Sequence, residues 1–313
     1  MKVLKIVLIN IILIALVLIL FDWLFYITFY FKKLQPPQLG IIMDPTLFFI
    51  QPLPFSDKKP PIVVMGCSFA NGFGLPQEET LAYKLQKLTN RKVYNYAQDG
   101  QSVQFVTYKI QNSNFFKTIQ PDPEYVIYVF IDDHLRRMQK DFLNYDDVIK
   151  YLRYKEIKDG NNKKTIYAPF PPPEKVEPID YLKVTMLYKK LNDLFIYLQS
   201  DDRKFDLFKQ HVLLANKYLK YRHPDSKFVV VVYNSNAYTK TSKTAMRKPF
   251  KTNRWKELED EGIIVINFNT PEYKFLEMPE YNFYAPDVTA GAHPSGKAWD
   301  ALVPIIIEKL GIQ

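Results

Sequence analysis

A serine stands at the tip of the run Gly66-Cys67-Ser68-Phe69-Ala70-Asn71-Gly72-Phe73-Gly74, a sharp glycine-rich exit from an apolar, β-branched stretch. A serine hydroxyl is a poor nucleophile until an imidazole takes its proton, and the imidazole works best when a carboxylate fixes its tautomer. Near the C-terminus Asp287 precedes His293-Pro294-Ser295, so Ser68, His293 and Asp287 can fill those three roles. The chemistry of such a set is attack on an ester or acyl carbonyl. The tetrahedral oxyanion then needs preorganised donors, which the backbone N–H groups of Ser68 and Gly100 could supply, with a side chain near Asp132 or His134 as a third. His134 could instead bind substrate, or with Arg136 hold an anionic group, and Asn71 is a further substrate-binding candidate.

Each piece also has an ordinary structural reading. A serine after a glycine is common turn chemistry. Asp132 and Asp133 could be a solvated strand end, and Ser295 is placed to cap the last helix. Joint placement favours chemistry, because three polar blocks follow the first three predicted strands in order and His293 precedes the last helix.

The elements that must position these groups are legible in the hydrophobic pattern. Runs at Ile62–Met65, Val93–Tyr96, Tyr125–Ile131, Phe228–Tyr233 and Ile263–Ile266 predict five strands. Leu81, Leu85 and Leu88 share one helical face, as do Val103, Val106 and Ile110. Near-continuous apolar strands separated by amphipathic helices predict a parallel sheet covered on both sides, with ligands beyond the carboxyl ends of the strands. His211, at helical spacing with Leu207, Leu214 and Tyr218, is expected in the core, and His223 beside Pro224 at a surface helix end. The stretch from about 138 to 200, with Pro171-Pro172-Pro173 and a stripe of Val184, Leu187, Leu191, Leu194 and Leu198, is expected to be an inserted helical segment.

At these residues the chain resembles the SGNH, or GDSL-like, hydrolases. Gly66-Cys67-Ser68 is similar to their first block, with Cys67 where aspartate is usual. Asn95-Tyr96-Ala97-Gln98-Asp99-Gly100 is similar to the second, with Ala97 at a frequent glycine and Gly100 retained. Asp287 and His293-Pro294-Ser295 resemble the fifth, although the usual acid position holds Ala290. Asp132-Asp133-His134 stands where the family's Gly-x-Asn-Asp block supplies an oxyanion asparagine. The resemblance covers the domain from about residue 61 and looks like an uncharacterised membrane-associated branch. It implies a flavodoxin-like α/β/α fold with a five-stranded parallel sheet, and a serine esterase or acyl-transferring activity without a cofactor.

Residues Ile6 to Phe31 are apolar apart from Asn10 and Asp22, long enough to cross a bilayer as a helix. The aromatic end running into Lys32 and Lys33 suits a membrane boundary rather than a cleavage site, so residues 1–33 are expected to stay as an anchor. Lys2 and Lys5 nearly balance the charge count, and the domain is expected on the extracytoplasmic side. Six prolines between Pro36 and Pro60 make residues 34–60 a linker, and residues 61–313 the catalytic domain. Partners would be an acylated small molecule, glycan or lipid, with the membrane.

The +9 formal charge of the 313-residue chain, 42 Lys and Arg against 33 Asp and Glu, is interleaved with acids, which argues against nucleic acid. Cys67 is the single cysteine, read as a packing residue, so no intramolecular disulfide or cysteine-rich zinc site can form. No Walker or dinucleotide glycine pattern occurs, nor a His-Glu-x-x-His zinc motif. An α/β-hydrolase elbow would need strands ahead of the serine strand. Two other readings remain, a glycan-binding module that keeps the fold without catalysis and a membrane-surface scaffold acting through its basic charge.

Overall fold

The computed structural model describes residues 59–112, 114–137, 153–159, 162–168, 200–234, 236–237, 252–283 and 292–312, with positions 10, 13, 16, 17 and 20. Of the predicted span only those five positions are described, all helical and exposed. Among the described residues no helix is long and apolar enough to cross a membrane. Most of the predicted linker, the stripe Val184–Leu198 and Asp287 lie outside the described residues.

The chain runs β1 (Ile62–Gly66), α1 (Ser68–Asn71), α2 (Leu81–Thr89), β2 (Val93–Asn95), α3 (Val103–Asn112), α4 (Asn114–Thr118), β3 (Tyr125–Phe130) and α5 (Asp133–Arg137). It continues through β4 (Arg153–Asp159), β5 (Asn162–Ala168), α6 (Asp201–Arg222), β6 (Lys227–Val232), α7 (Lys256–Glu259), β7 (Ile264–Asn267), β8 (Asn282–Phe283), β9 (His293–Pro294) and α8 (Gly296–Leu310). The central sheet has five strands in the order β2-β1-β3-β6-β7, every pair parallel. All five predicted strands are present in that sheet.

Successive strand residues point to opposite faces, and here both faces are dry. Ile62, Val64, Ile127, Val129, Val229 and Val231 pack with Leu81 and Leu85 of α2 and with Trp299, Leu302 and Ile306 of α8. Val63, Met65, Val126, Tyr128, Val230 and Val232 pack with Val106 and Ile110 of α3 and with Phe208, Val212 and Leu219 of α6. The three-layer α/β/α arrangement follows. Cys67 sits in the first of these clusters, fully buried.

Helix limits follow local chemistry. The Thr80 hydroxyl accepts from the Tyr83 N–H at 3.4 Å, Ser200 from Arg203 at 3.3 Å and Ser295 from Ala298 at 3.4 Å. Asn90 and Gly311 close α2 and α8 in the left-handed region, at φ 51° and 63°.

Two expectations need correction. Leu88 is exposed, because the buried stripe of α2 is Leu81, Ala82, Leu85, Gln86 and Thr89, and Leu88 lies about a quarter turn from its centre. His223 is buried, not at the surface. α4 and the segment after it fold over it, placing Phe116 O 2.8 Å from its Nε2 and the Asp122 carboxylate 2.8 Å from its Nδ1. Within the stretch from 138 to 200, residues 153–159 and 162–168 form an antiparallel hairpin, β4 with β5, in the register Tyr154↔Tyr167 and Glu156↔Thr165, and the expected helical stripe lies outside the described residues.

His211 is in the core as expected, its Nε2 3.4 Å from the Gln104 amide. Burial pushes its pKa down from 6.5 to about 3. The folded value lies below the unfolded one, so the stability tied to neutral His211 is complete above pH 6.5 and is lost as pH falls toward 3. In that window the group makes stability fall by about 1.4 kcal/mol per pH unit. Urea unfolding at a series of pH values should show this slope reduced in His211→Gln, and an unchanged slope would contradict the assignment.

A second expectation concerns Gly66, which ends β1 at φ 140°. A Cβ there would lie 2.9 Å from Val129 O and 3.1 Å from the Ala70 Cβ. Gly66→Ala should cost about 2 kcal/mol or more, combining backbone strain and overpacking, read as a lower urea midpoint.

Candidate active site

The strand order changes direction between β1 and β3, so the connections leaving these two strands go to opposite sides and open a crevice at their carboxyl ends. The chain leaving β1 makes the tightest turn there. Gly66 bends the exit, Cys67 is extended at φ −96° and ψ −158°, and Ser68 opens the single turn α1, which Gly72 closes at φ 83°. The Ser68 carbonyl accepts from the N–H groups of Gly72 and Phe73 at 3.1 and 3.0 Å, and Cys67 O accepts from Asn71 N–H at 2.9 Å. Cys67 thereby turns into the core while Ser68 faces the crevice.

The loop after β2 is stitched to this turn. Tyr96 N–H donates to Val64 O at 2.7 Å and Gln98 N–H to Gly66 O at 3.0 Å, extending the pairing with β1 beyond the last residue of β2. Asn95 works in both directions: its amide donates to Asn71 O at 3.1 Å, and its carbonyl accepts from Ala97 N–H at 3.3 Å. The Asn71 amide donates to the Asp99 carboxylate at 3.2 Å. Gly100 follows at φ 75°. Among the described residues the backbone N–H groups of Ser68 and Gly100 donate to no protein acceptor, which leaves both able to meet a developing negative charge.

Behind this loop the Lys109 ammonium, buried on α3, donates to Tyr96 O at 3.0 Å and lies 4.4 Å from the centre of the Tyr96 ring. Burial lowers its pKa from 10.5 to about 7. The lysine supports the backbone where β2 ends.

His293 reaches the crevice on the short strand β9, which pairs antiparallel with β8 in the register Phe283↔His293. Ser295 locks the exit: its N–H donates to Tyr281 O at 3.0 Å and its hydroxyl to Glu280 O at 2.8 Å. The first turn of α8 lies against Glu79, whose carboxylate would be 2.4 Å from a Cβ on residue 296, so glycine there permits the close approach. The outcome is a hydrogen bond of 2.9 Å between Ser68 Oγ and His293 Nε2, joining residues 225 positions apart. His293 is buried, at 5% exposure.

The other predicted site residues divide. Asp132 is buried at the end of β3, beside the β1 exit in the sheet order. His134 is a correction to the expectation that it binds substrate or gives an oxyanion donor. It is wholly buried, stacked on Tyr128 at 5.5 Å and 27°, with its Nδ1 hydrogen-bonded to the Tyr128 hydroxyl. The chain turns into α5 directly after β3 and carries that ring under the sheet. Arg136 stands in α5. Asn71 is at the crevice, but its amide is engaged by Asp99. Asp287 lies outside the described residues, in the connection between Phe283 and Ala292. Among the described residues no group of three or more His, Cys, Asp or Glu is gathered as metal ligands would be.

Sequence reading missed Asn95, Asp99, Lys109, Phe69 and Phe73. Asn95 opens the second polar block and could have been found from its Asx-type reach to Ala97. The contribution of the two phenylalanines depends on a ring brought in from the far end of the chain.

No protein-family model matches the chain, and no curated protein matches it. Solved structures do. One is a member of the lipolytic protein G-D-S-L family from Veillonella parvula, 13% identical, with TM-score 0.43, covering 80% of this chain and 97% of that one. Another is a carbohydrate esterase family 2 enzyme with a carbohydrate-binding domain from Corynascus thermopiles (Myceliophthora fergusii). It is 11% identical, with TM-score 0.45, covering 84% and 69%. A third is the salicylyl-acyltransferase SsfX3 from a tetracycline biosynthetic pathway, 7% identical, with TM-score 0.42, covering 81% and 55%.

Proposed function

We propose that the chain is an SGNH-type serine esterase or acyltransferase in which Ser68 is the nucleophile and His293 the general base. The observation that carries this reading is the 2.9 Å hydrogen bond from Ser68 Oγ to His293 Nε2 at the carboxyl ends of the central strands.

The steps follow from that pair. His293 Nε2 takes the hydroxyl proton as Ser68 Oγ forms a bond to the ester carbonyl carbon, and the carbonyl π electrons move to oxygen. The N–H groups of Ser68 and Gly100 meet that oxyanion, and Asp132, at the end of β3, is the candidate for a third contact. Collapse breaks the bond to the alcohol oxygen, which receives the proton from His293. Water or an acceptor hydroxyl then loses a proton to His293, attacks the acyl-serine and releases Ser68. Asp287 orients the imidazole.

The substrate in this reading is an acyl or acetyl ester of an envelope glycan or lipid. The apolar run from Ile6 to Phe31 supports it by tethering the domain, on the extracytoplasmic side, where such esters lie at the membrane. Arg136 is a candidate contact for an anionic substrate group.

Fluorophosphonate labelling and hydrolysis of a short aryl ester test the pair. Ser68→Ala should abolish labelling, and His293→Gln should lower kcat by about a thousandfold or more. Turnover unchanged in Ser68→Ala would refute the nucleophile assignment. For the oxyanion, Asp132→Ala should lower kcat about a hundredfold, whereas Asp132→Asn, whose amide is a donor, should keep most of it. Equal activity in both variants would remove Asp132 from the donor set.

A further inference from the structure

Two aromatic rings lie against His293, and both come from the turn that carries Ser68. The ring centres of Phe69 and Phe73 are 4.9 and 5.3 Å from the imidazole centre, inclined at 44° and 41°. An aromatic face is electron-rich and attracts a cation within about 6 Å of its centre. The imidazole becomes a cation only after taking the serine proton, so this attraction is stronger in the charged state than in the resting one.

The bracket is held in place from behind. Phe69 is buried against Tyr233 at 5.5 Å, and Tyr233 against Trp299 at 5.5 Å. Trp299 belongs to α8, the helix that starts just after His293. A chain of rings therefore closes from the serine turn, past the end of β6, to the helix that anchors the histidine. Phe73 is half-buried and lies outside that chain of rings.

We propose that Phe69 and Phe73 are positioning residues that bracket the His293 imidazole and favour its protonated form. The inference rests on the Ser68–His293 reading and adds residues to it. Several described ionisable groups stand on the elements around His293. Ser68 faces it from α1, Glu79 lies against Gly296 in the first turn of α8, and Glu280 and Lys297 stand 3.9 Å apart beyond Ser295. None of these is altered by changing Phe73 to another apolar residue.

The test is a histidine NMR titration of the detergent-solubilised full chain, with the His293 resonance assigned through His293→Gln. Phe73→Leu keeps an apolar cover but removes the π face, and should lower the His293 pKa by about half a unit. Phe73→Tyr keeps the face and should leave it unchanged, which separates loss of the ring from damage to the fold. The acid limb of kcat/KM on the aryl ester should move with the titration. A His293 pKa that is unchanged or raised in Phe73→Leu overturns the proposal. The titration needs no turnover, so the two readings fail separately. Ser68 that labels normally beside an unshifted titration ends the bracket alone. A shifted titration beside an unreactive Ser68 ends the esterase reading and leaves the bracket as a property of the fold.

Discussion

The exit of β1 is the constraint on which the crevice depends. β1 is flanked by β2 and β3, and at its last residue the backbone passes so near Val129 O that a Cβ would intrude at 2.9 Å. A residue without a side chain, at φ 140°, is what lets the chain leave at that level. Everything after it inherits the position: the extended Cys67, the one-turn helix, the hydroxyl of Ser68 and the two phenylalanines. The same glycine accepts the Gln98 N–H at 3.0 Å, so the β2 loop is set relative to the serine by the strand that carries it.

The second half of the site is built by a different route. His293 sits on a two-residue ladder, a weak element by itself. Its precision comes from what surrounds the ladder: Ser295 bonded to Tyr281 and Glu280, Glu79 against the start of α8, and Trp299 packed on Tyr233. α8 buries Trp299, Leu302, Val303 and Ile306 against the sheet, and each such side chain is worth about 1.5–3 kcal/mol of burial. The packing energy of the last helix thus holds the imidazole at 2.9 Å from a hydroxyl on the first strand.

Polar side chains tie down the backbone at both ends of β2. Lys109 reaches Tyr96 O, Asn95 spans from Asn71 O to Ala97 N–H, and Gln86 accepts from Val93 N–H at 3.1 Å, joining α2 to the start of β2. Each satisfies a backbone group at an edge where regular pairing ends, and an unsatisfied group there would cost about 1–3 kcal/mol. β2 has only three residues, and Lys109 and Asn95 hold the chain that continues from it toward Gly100.

The sequence by itself determined the five strands and the helices facing them, most plainly for β1, β3 and β6, which are covered on both faces and so read as unbroken apolar runs. It also determined Ser68 and His293 as candidates, since their blocks lie at the carboxyl ends of strands or just ahead of a capped helix. Where one residue type suits two environments, local pattern was insufficient. His134 and His223 carry no mark of burial in their neighbours, and only the segments folded over them decided it. The β4–β5 hairpin had its signal in Asp159-Gly160 between alternating residues, hidden by the proline run that follows. The hydrogen bond across 225 positions, and the rings around it, were decided by tertiary structure alone. Distance and inclination between side chains depend on how the layers close, and no spacing along the chain encodes them.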